Sequence, residues 1–240
     1  MMNNPYLRSS FVVFEGVNGG GKSTQAEKSH AWHVQTAPDI RTVLTKEPYT
    51  KTPDGRPVHS GNEIYQILRG EHKRTRLAEV TPEAFQRYFY FPNRISHHLE
   101  VVIPSLEEGA LVLSDRGLAS VCFGAQSVGA LYYLMAEQLA MYETVKLPWP
   151  DAIIIYDVPA EVAMQRMRDS GKALDGHESL EIQERVCENY RVFARNWPNC
   201  HIVDGTASAE EVFRKGTLPI LDRAINREMY RIRDDQGVIY

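Results

Sequence analysis

A glycine-rich segment near the amino terminus carries the clearest chemical signal in this chain. Residues 16–23 match the pattern GxxxxGK[ST] without a mismatch. In such a P-loop the glycines let backbone N–H groups surround phosphates, the lysine reaches the β- and γ-phosphates, and the serine hydroxyl binds Mg²⁺. We therefore expect Lys22 to be catalytic and Ser23 to hold Mg²⁺. The predicted ATP-binding residues of the loop are Gly16, Val17, Asn18, Gly19, Gly20, Gly21, Lys22, Ser23 and Thr24.

The position of this motif supports its assignment. By average residue frequencies the pattern arises by chance in roughly one chain of this length in a hundred. Here it lies directly after an apolar run at 11–14 and directly before a segment with helical periodicity, which is the context that a P-loop needs. A P-loop alone does not distinguish kinases from GTPases, ATPases or nucleotide-dependent switches. The guanine-reading motif NKxD is absent from the sequence, which weakens the GTPase interpretation.

Five short apolar runs predict the sheet that must position this loop. They are rich in β-branched residues and lack polar alternation, as expected of parallel strands buried on both faces. Helical segments separate them, so the sequence predicts an α/β fold with a doubly wound, parallel, five-stranded sheet and helices on both faces. Thr81 and Ser208 are expected to begin two of the helices. The five runs are 11–14, 42–44, 110–113, 152–156 and 201–203.

Polar residues at the carboxyl ends of these runs indicate where a ligand binds, because ligands of parallel sheets bind at that edge. Those ends carry Glu15, Lys46 with Glu47, Asp115, Asp157 and Asp204. Residues 1–222 are predicted to form a single domain, and residues 223–240, charged and irregular, a peripheral tail.

The composition of the chain limits the classes of binding partner that we expect. The net charge of −4 gives no reason to expect a broad basic face for nucleic acid or an anionic membrane, so small-molecule ligands are expected. The three cysteines have no metal-binding spacing, and their odd number argues against a disulfide framework. The first ten residues lack the apolar core of a signal peptide. We expect a cytoplasmic protein without a membrane span.

Beyond the P-loop, several motifs resemble those of the thymidylate kinase family, which are P-loop nucleoside monophosphate kinases. They follow the order of the family over roughly residues 11–215. The resemblance implies a P-loop NTPase-type fold with a short lid at about 165–178, and a homodimer. The motifs are Phe-Val-Val-Phe-Glu-Gly at 11–16, Thr-Lys-Glu-Pro at 45–48, Asn-Arg at 93–94, Ser-Asp-Arg at 114–116 with Ser120, and Pro-Asp at 150–151.

The resemblance assigns roles to residues around the acceptor nucleotide. Arg116 is expected to bind the acceptor phosphate and to act in catalysis, and Asp115 to orient it or to hold a water on Mg²⁺. The alternative for this pair is a local salt bridge at the end of a strand. Tyr90 and Arg94 lie one helical turn apart, and the family uses such a pair to stack on the base and bind its edge. The alternative is that Tyr90 belongs to the core and Arg94 is solvated.

Two further acceptor contacts are expected at Asn18 and Glu47, and the lid should supply arginines to the donor. Arg166 and Arg168 precede Ser-Gly-Lys at 170–172, and both are predicted to bind ATP, with Arg168 catalytic. The alternative is a solvated helix end. Some family members carry an arginine in the P-loop where this chain has Gly19, so here the lid must provide that charge.

The chain departs from the family around the acceptor sugar. Asn18 stands where an acid is usual, and Val121 and Gly124 stand where a polar residue and a tyrosine are typical. The missing tyrosine predicts an open pocket at the sugar 2′ position and weak rejection of a ribonucleotide. The alternative is that Phe123 or Gln126 fills the space.

The leading hypothesis is ATP-dependent phosphorylation of a deoxynucleoside or nucleoside monophosphate, with thymidylate as the first candidate and Mg²⁺ as the cofactor. One alternative is a deoxynucleoside kinase that phosphorylates an uncharged nucleoside, with Glu47 as the base. A second is a non-catalytic P-loop protein that binds ATP as a switch. The several arginines outside the P-loop favour phosphoryl transfer over a switch.

Overall fold

The computed structural model describes residues 9–71, 80–171 and 179–226 of the chain. Its centre is a parallel sheet of five strands in the order β2-β3-β1-β4-β5. The strands are β1 Ser10–Gly16, β2 Thr42–Lys46, β3 Leu111–Asp115, β4 Ala152–Asp157 and β5 Cys200–Asp204. All five apolar runs of the sequence are strands, and the predicted parallel sheet is confirmed.

Helical segments connect the strands. The first two are α1 Lys22–Thr36 and α2 His59–Leu68. Segment α3 covers residues 82–107 and combines the α-helical stretches Pro82–Phe85, Phe91–His97 and Ile103–Glu107 with the π-helical turns Gln86–Tyr90 and His98–Val102. The others are α4 Val121–Gly124, α5 Val128–Val145, α6 Ala160–Asp169, α7 Leu180–Asn196 and α8, which covers residues 209–225.

Two of the helix starts have the predicted caps. The Thr81 hydroxyl accepts a hydrogen bond from the backbone N–H of Ala84, and the Ser208 hydroxyl accepts one from that of Glu211. Both bonds satisfy backbone donors that a first helical turn leaves free. Helix α8 continues to Ile225, whose side chain is buried. The helix therefore extends three residues past the predicted domain boundary at 222, and most of the predicted tail lies outside the described residues.

Alternate residues of β1 enter two different cores. Phe11 and Val13 pack on one side of the sheet with helices α5 and α7, whereas Val12 and Phe14 pack on the other side with α1 and α8. Helices on both faces are thus confirmed. The edge strands differ from the expectation of burial on both faces, since Leu44 on β2 and Ile202 on β5 are exposed. An edge strand has a neighbour on one side only, and the covering helices leave its outer part open to solvent.

The sheet gathers chemistry at one edge because its strands are parallel and in register. Phe14 pairs with Asp115 across β1 and β3, and Lys46 pairs with Asp115 across β2 and β3. Strand β1 ends in the P-loop and lies at the centre of the sheet. The next strands, β2 and β3, lie on one side of it, and β4 and β5 lie on the other. The end of β1 is the topological switch point, where ligands bind in open α/β sheets.

Candidate active site

The P-loop runs from the end of β1 into α1, as its motif predicts. Gly21 precedes the helix in a left-handed conformation, with a φ of 93°. Gly19 has a φ of 77°, and a Cβ at this position would overlap the backbone carbonyl of Ala163 on α6. No side chain, and hence no P-loop arginine, fits at position 19. Among the remaining loop residues, Val17 packs into the core instead of facing solvent.

Lys22 is buried at the start of α1, and its Nζ lies 3.4 Å from the carbonyl oxygen of Val17. Burial and, to a smaller extent, the nearby positive charge of Arg116 lower the pKa of the lysine to about 7, and Asp115 and Glu15 act in the opposite direction. A phosphate in the loop would favour the charged form of the lysine. Lys22 is thus a buried cation that lacks an anionic partner at hydrogen-bonding distance among the described residues.

Ser23 and Asp115 meet across the cleft although 92 residues separate them in sequence. The Ser23 hydroxyl donates to Oδ2 of Asp115 over 2.6 Å, and Oδ1 of Asp115 is buried with no hydrogen-bond partner in the described part of the chain. A hydroxyl beside a carboxylate with an unused oxygen suits Mg²⁺, which prefers oxygen ligands and keeps several waters. When bound, Mg²⁺ would neutralise charge on the transferring phosphate.

Arg116 has an unusual backbone conformation that directs its side chain. Its φ of 80° lies in the left-handed region, which costs a residue with a side chain on the order of 1–3 kcal/mol. The backbone N–H donates to the carbonyl oxygen of Phe14, and the Ser114 hydroxyl donates to the carbonyl oxygen of Arg116, over 2.9 and 2.7 Å. The guanidinium donates to the Asn18 side chain and stacks on Phe123 at 4.6 Å from the ring centre.

A cleft of about 1530 Å³ joins the P-loop to the first turns of α3. Most of the predicted site residues line it. They are Asn18, Gly19, Gly20, Gly21, Lys22, Ser23, Thr24, Tyr90, Asp115, Arg116 and Arg166. Gly16, Val17, Glu47, Arg94 and Arg168 do not line it.

Arg94 and Glu47 form a buried pair behind the wall of the cleft. Arg94 is fully buried and donates to Oε2 of Glu47 over 2.8 Å, to the carbonyl oxygen of Gly117 over 2.7 Å, and to Oε1 of Gln138. Burial would raise the pKa of Glu47, but Arg94 and a hydrogen bond with His97 outweigh it and hold that pKa well below its usual range. Neither residue lines the cleft in which the sequence predicts it, because the arginine is occupied by Glu47, Gln138 and Gly117.

Of the two arginines in the predicted lid, one reaches the cleft and the other does not. Arg166 lines the cleft and donates to the carbonyl oxygens of Gly205 and Thr206 over 2.9 and 3.1 Å. Arg168 is exposed and donates to Gln165 over 3.0 Å. Gly171, with a φ of 67°, follows Ser170 at the end of α6. The rest of the predicted lid, residues 172–178, lies outside the described residues.

Three basic residues that line the cleft, Lys46, Arg69 and Arg185, are absent from the predicted site. Lys46, at the end of β2, lines the cleft. Arg185, on α7, also lines it, and its Nε is buried without a hydrogen-bond partner among the described residues. Helical spacing could have indicated Arg185 from the sequence. It follows Ile182 by three residues and so lies on the same helix face, and Ile182 also lines the cleft.

Glu15 is a fully buried carboxylate that holds three separate groups. It accepts hydrogen bonds from the backbone N–H of Gly117 over 2.8 Å, from the Ser120 hydroxyl over 3.1 and 3.2 Å, and from the Tyr190 hydroxyl over 2.8 Å. Burial raises the pKa of Glu15 to about 6, and Arg116 and these hydrogen bonds limit the rise. The carboxylate fixes the loop after β3 to α7.

The prediction of an open pocket at Gly124 is wrong. A Cβ built there would overlap the side chain of Gln86 and come within 3.0 Å of the carbonyl oxygen of Pro82. Gln86 itself is 3% exposed. The side chain in that space is that of Gln86, because α3 packs directly against α4. The Gln126 amide also contacts the glycine, since it donates to the carbonyl oxygen of Gly124 over 3.5 Å.

In the described part of the chain, every helix is too short or too polar to cross a membrane.

Comparisons with known proteins agree with this geometry. A family model described as thymidylate kinase matches residues 14–215. The chain is 31% identical over 210 residues to a probable thymidylate kinase of Pyrococcus abyssi, which covers 86% of this chain and 93% of the relative. A thymidylate kinase of Nitratidesulfovibrio vulgaris is 31% identical over 213 residues, or 85% of this chain and 88% of the relative.

A solved structure supports the fold independently. The crystal structure of thymidylate kinase from Ehrlichia chaffeensis matches with a TM-score of 0.63 at 19% identity, and covers 89% of this chain and 99% of that chain. The family predicted from the short motifs is confirmed over most of the chain, so this protein belongs to the thymidylate kinase family and is a nucleoside monophosphate kinase.

Proposed function

We propose that this protein transfers the γ-phosphate of ATP to thymidylate, which gives dTDP and ADP. The observation that carries the proposal is the single cleft, which has the P-loop in one part and Arg116, Tyr90 and Phe123 in another. A kinase for monophosphates must hold two anionic substrates so that the attacking and leaving oxygens lie in line. The names of the relatives supply the identity of the acceptor.

The donor would bind in the P-loop half of the cleft. Backbone N–H groups there would face the phosphates, at the positive end of the α1 dipole. Lys22 would neutralise the transferring phosphoryl group, and Ser23 with Asp115 would hold Mg²⁺. Catalysis in this half would rest on placement of charge and not on a covalent intermediate.

The acceptor phosphate would bind between Arg116 and Lys46. Both line the cleft, and Lys46 lies opposite Asp115 in the register of β2 and β3. Arginine offers a fork of donors that matches the geometry of a phosphate. Tyr90 would then stack on the base, with Phe123 keeping the guanidinium of Arg116 in place.

The charge that develops during transfer would be neutralised by Arg166 and Arg185. Both line the cleft. The buried Nε of Arg185 has no partner among the described residues and is therefore available to donate a hydrogen bond to a ligand. Arg168 is less suited, because it is exposed and does not reach the cleft.

The nucleoside kinase alternative is disfavoured by Glu47. A base for a 5′-hydroxyl must reach the proton that it abstracts and should have a pKa near the working pH. Glu47 does not line the cleft, and its carboxylate is paired with Arg94. The charge of the cleft also fits a phosphorylated acceptor better than a neutral one.

A coupled assay of ADP release tests the proposal and its alternatives together. Purified protein with ATP and Mg²⁺ should turn over thymidylate faster than other monophosphates, and thymidine should be a poor substrate. Faster turnover of thymidine would support the nucleoside kinase. Tight ATP binding without turnover of any acceptor would support the switch.

We also propose that the protein is a homodimer of the cytoplasm. Exposed apolar side chains concentrate on α3 and α5, two neighbours joined by an ion pair of 2.6 Å between Arg87 and Glu137. They are Tyr88, Leu99, Val128, Tyr132, Tyr133 and Leu139. Such a patch fits an interface with a second copy. The cytoplasmic location is supported by three free cysteines in the described residues, since thiols persist in a reducing compartment.

Sedimentation velocity tests the oligomeric state. Wild-type protein should sediment as a dimer, and Tyr133→Glu, at a side chain that is 72% exposed, should shift it toward the monomer. A wild-type monomer at micromolar concentration contradicts the dimer. Fractionation of cells that express the protein tests the location.

A further inference from the structure

Gln86 has a buried polar atom that nothing in the described structure satisfies. The residue begins the first π-helical turn of α3, is 3% exposed and lines the cleft. Its Oε1 is buried and has no hydrogen-bond partner among the described residues. Native proteins pair almost all such atoms, so an unpaired amide at the wall of a binding cleft indicates a ligand. π-Helical turns also occur frequently at functional sites.

The packing around Gln86 shows which part of the cleft it serves. The residue occupies the space that a side chain at position 124 would need. Gln86 can therefore pack at the wall of the cleft because position 124 is a glycine. Tyr90 follows it by four residues and lines the same cleft, as does Phe123, the residue before Gly124. Phe123 contacts the guanidinium of Arg116. Gln86 therefore lies with the residues assigned to the acceptor.

We propose that the side-chain amide of Gln86 forms a hydrogen bond with the nucleoside part of the acceptor and helps to select it. The inference rests on the proposed function, which places a monophosphate in this half of the cleft. A primary amide carries no charge and offers both a donor and an acceptor. It therefore suits a sugar hydroxyl or the edge of a base, whereas the acceptor phosphate has Arg116 and Lys46 nearby.

Gln86→Met tests the proposal, because methionine keeps the length and volume of the side chain and removes its hydrogen bond. The KM for thymidylate should rise about 10-fold, the size expected for one neutral hydrogen bond. The KM for ATP should not change, since the donor binds elsewhere. The melting temperature should hold or rise, because the substitution removes an unpaired buried oxygen.

Substrate analogues identify the group that the amide contacts. One arm compares thymidylate with base analogues that lack a single donor or acceptor, and the other compares monophosphates that differ in one sugar hydroxyl. The rise in KM caused by Gln86→Met should vanish for the analogue that lacks the contacted group. A double-mutant cycle of this kind isolates the interaction between the amide and that group. A loss of equal size for every acceptor would overturn the proposal, and so would no loss at all.

Gln183→Met is the matched control. Gln183 is also buried, and both polar atoms of its amide lack partners among the described residues, but it does not line the cleft. The control should leave the KM for thymidylate unchanged, and an equal effect in both variants would contradict the proposal. Wild-type turnover of thymidylate tests the proposed function separately. If turnover is absent, calorimetric titration of thymidylate and its analogues into wild type and Gln86→Met still decides the role of Gln86.

Discussion

Arg94 and Glu47 form an ion pair in the interior, with 2.8 Å between Nε and Oε2 and side chains that are 0% and 4% exposed. The guanidinium also donates to Gly117, which follows Arg116 in the chain. Arg94 thus supports the wall of the cleft from behind. It holds the segment after β3 in place and does not itself line the cleft.

Arg94→Leu should lower the free energy of unfolding by about 3–5 kcal/mol, because it leaves the buried Glu47 carboxylate without its arginine, with His97 at 3.3 Å as the remaining partner. Denaturant unfolding measures the change. Arg94→Leu combined with Glu47→Leu should recover part of the loss, since the double variant buries no charge. A large rise in the KM for thymidylate without a loss of stability would instead indicate that Arg94 binds the base.

Lys22→Met should lower kcat by on the order of 10²–10³ or more, the usual effect of removing a donor that stabilises developing charge. The nucleotide-free variant should not melt at a lower temperature, because burial already disfavours the charge of Lys22, whose pKa falls to about 7. Steady-state kinetics and differential scanning calorimetry measure the two effects. Near-normal turnover would rule out the P-loop mechanism.

Asp115→Asn should raise the Mg²⁺ concentration for half-maximal activity by about 10-fold or more, as loss of a group that holds a metal or its water typically does. Titration of activity with Mg²⁺ measures it. Asp157→Asn is the control, since Asp157 also ends a strand but pairs with Arg191 and does not line the cleft. Equal Mg²⁺ requirements in both variants would contradict the assignment.

Arg116→Ala should raise the KM for thymidylate by about 10- to 100-fold and lower kcat, because a charge-assisted hydrogen bond to the acceptor phosphate is lost. Affinity for ATP should change little. Arg116→Lys should recover only part of the activity, since lysine lacks the planar fork. Calorimetry that shows weakened ATP binding with intact thymidylate binding would reverse the assigned roles.

Glu15 should make stability depend on pH between about 4.5 and 6. Its pKa is raised in the folded protein to about 6 from 4.5. The protonated form therefore favours folding, and this contribution is complete below pH 4.5 and lost as the pH rises through 6. The unfolding free energy of wild type relative to Glu15→Gln should fall by about 2 kcal/mol across that window. Denaturant unfolding at several pH values measures it, and a constant difference would contradict the shift.

The sequence predicted features whose signals are local. The P-loop needs only its own residues, and each buried strand is a run of adjacent apolar side chains. The parallel register then follows, and it brings Ser23 near Asp115. Nothing beyond strand order and the shared carboxyl edge was required for that contact.

Features that depend on packing between distant segments were not predictable in this way. The sequence shows Arg94 near Tyr90 but does not show that Glu47, Gln138 and Gly117 surround its guanidinium. The role of Gln86 depends on the absence of a Cβ at Gly124, 38 positions later.

The predicted lid also depends on packing that the sequence does not show. Arg166 and Arg168 are two residues apart on α6, so the phase of the helix decides which one faces the cleft. That phase is set by the buried residues Ala163 and Met167, which pack inward. Only Arg166 reaches the cleft.

The carboxylate of Glu15 has a consequence for how this protein tolerates mutation. It ties the segment after Arg116, through Gly117 and Ser120, to helix α7, through Tyr190. A substitution at Glu15 therefore disturbs the acceptor side and the helix that bears Arg185 together. A substitution at Glu15, Ser120 or Tyr190 is therefore expected to persist in evolution when a second substitution among these positions compensates for it, so the three residues should change together.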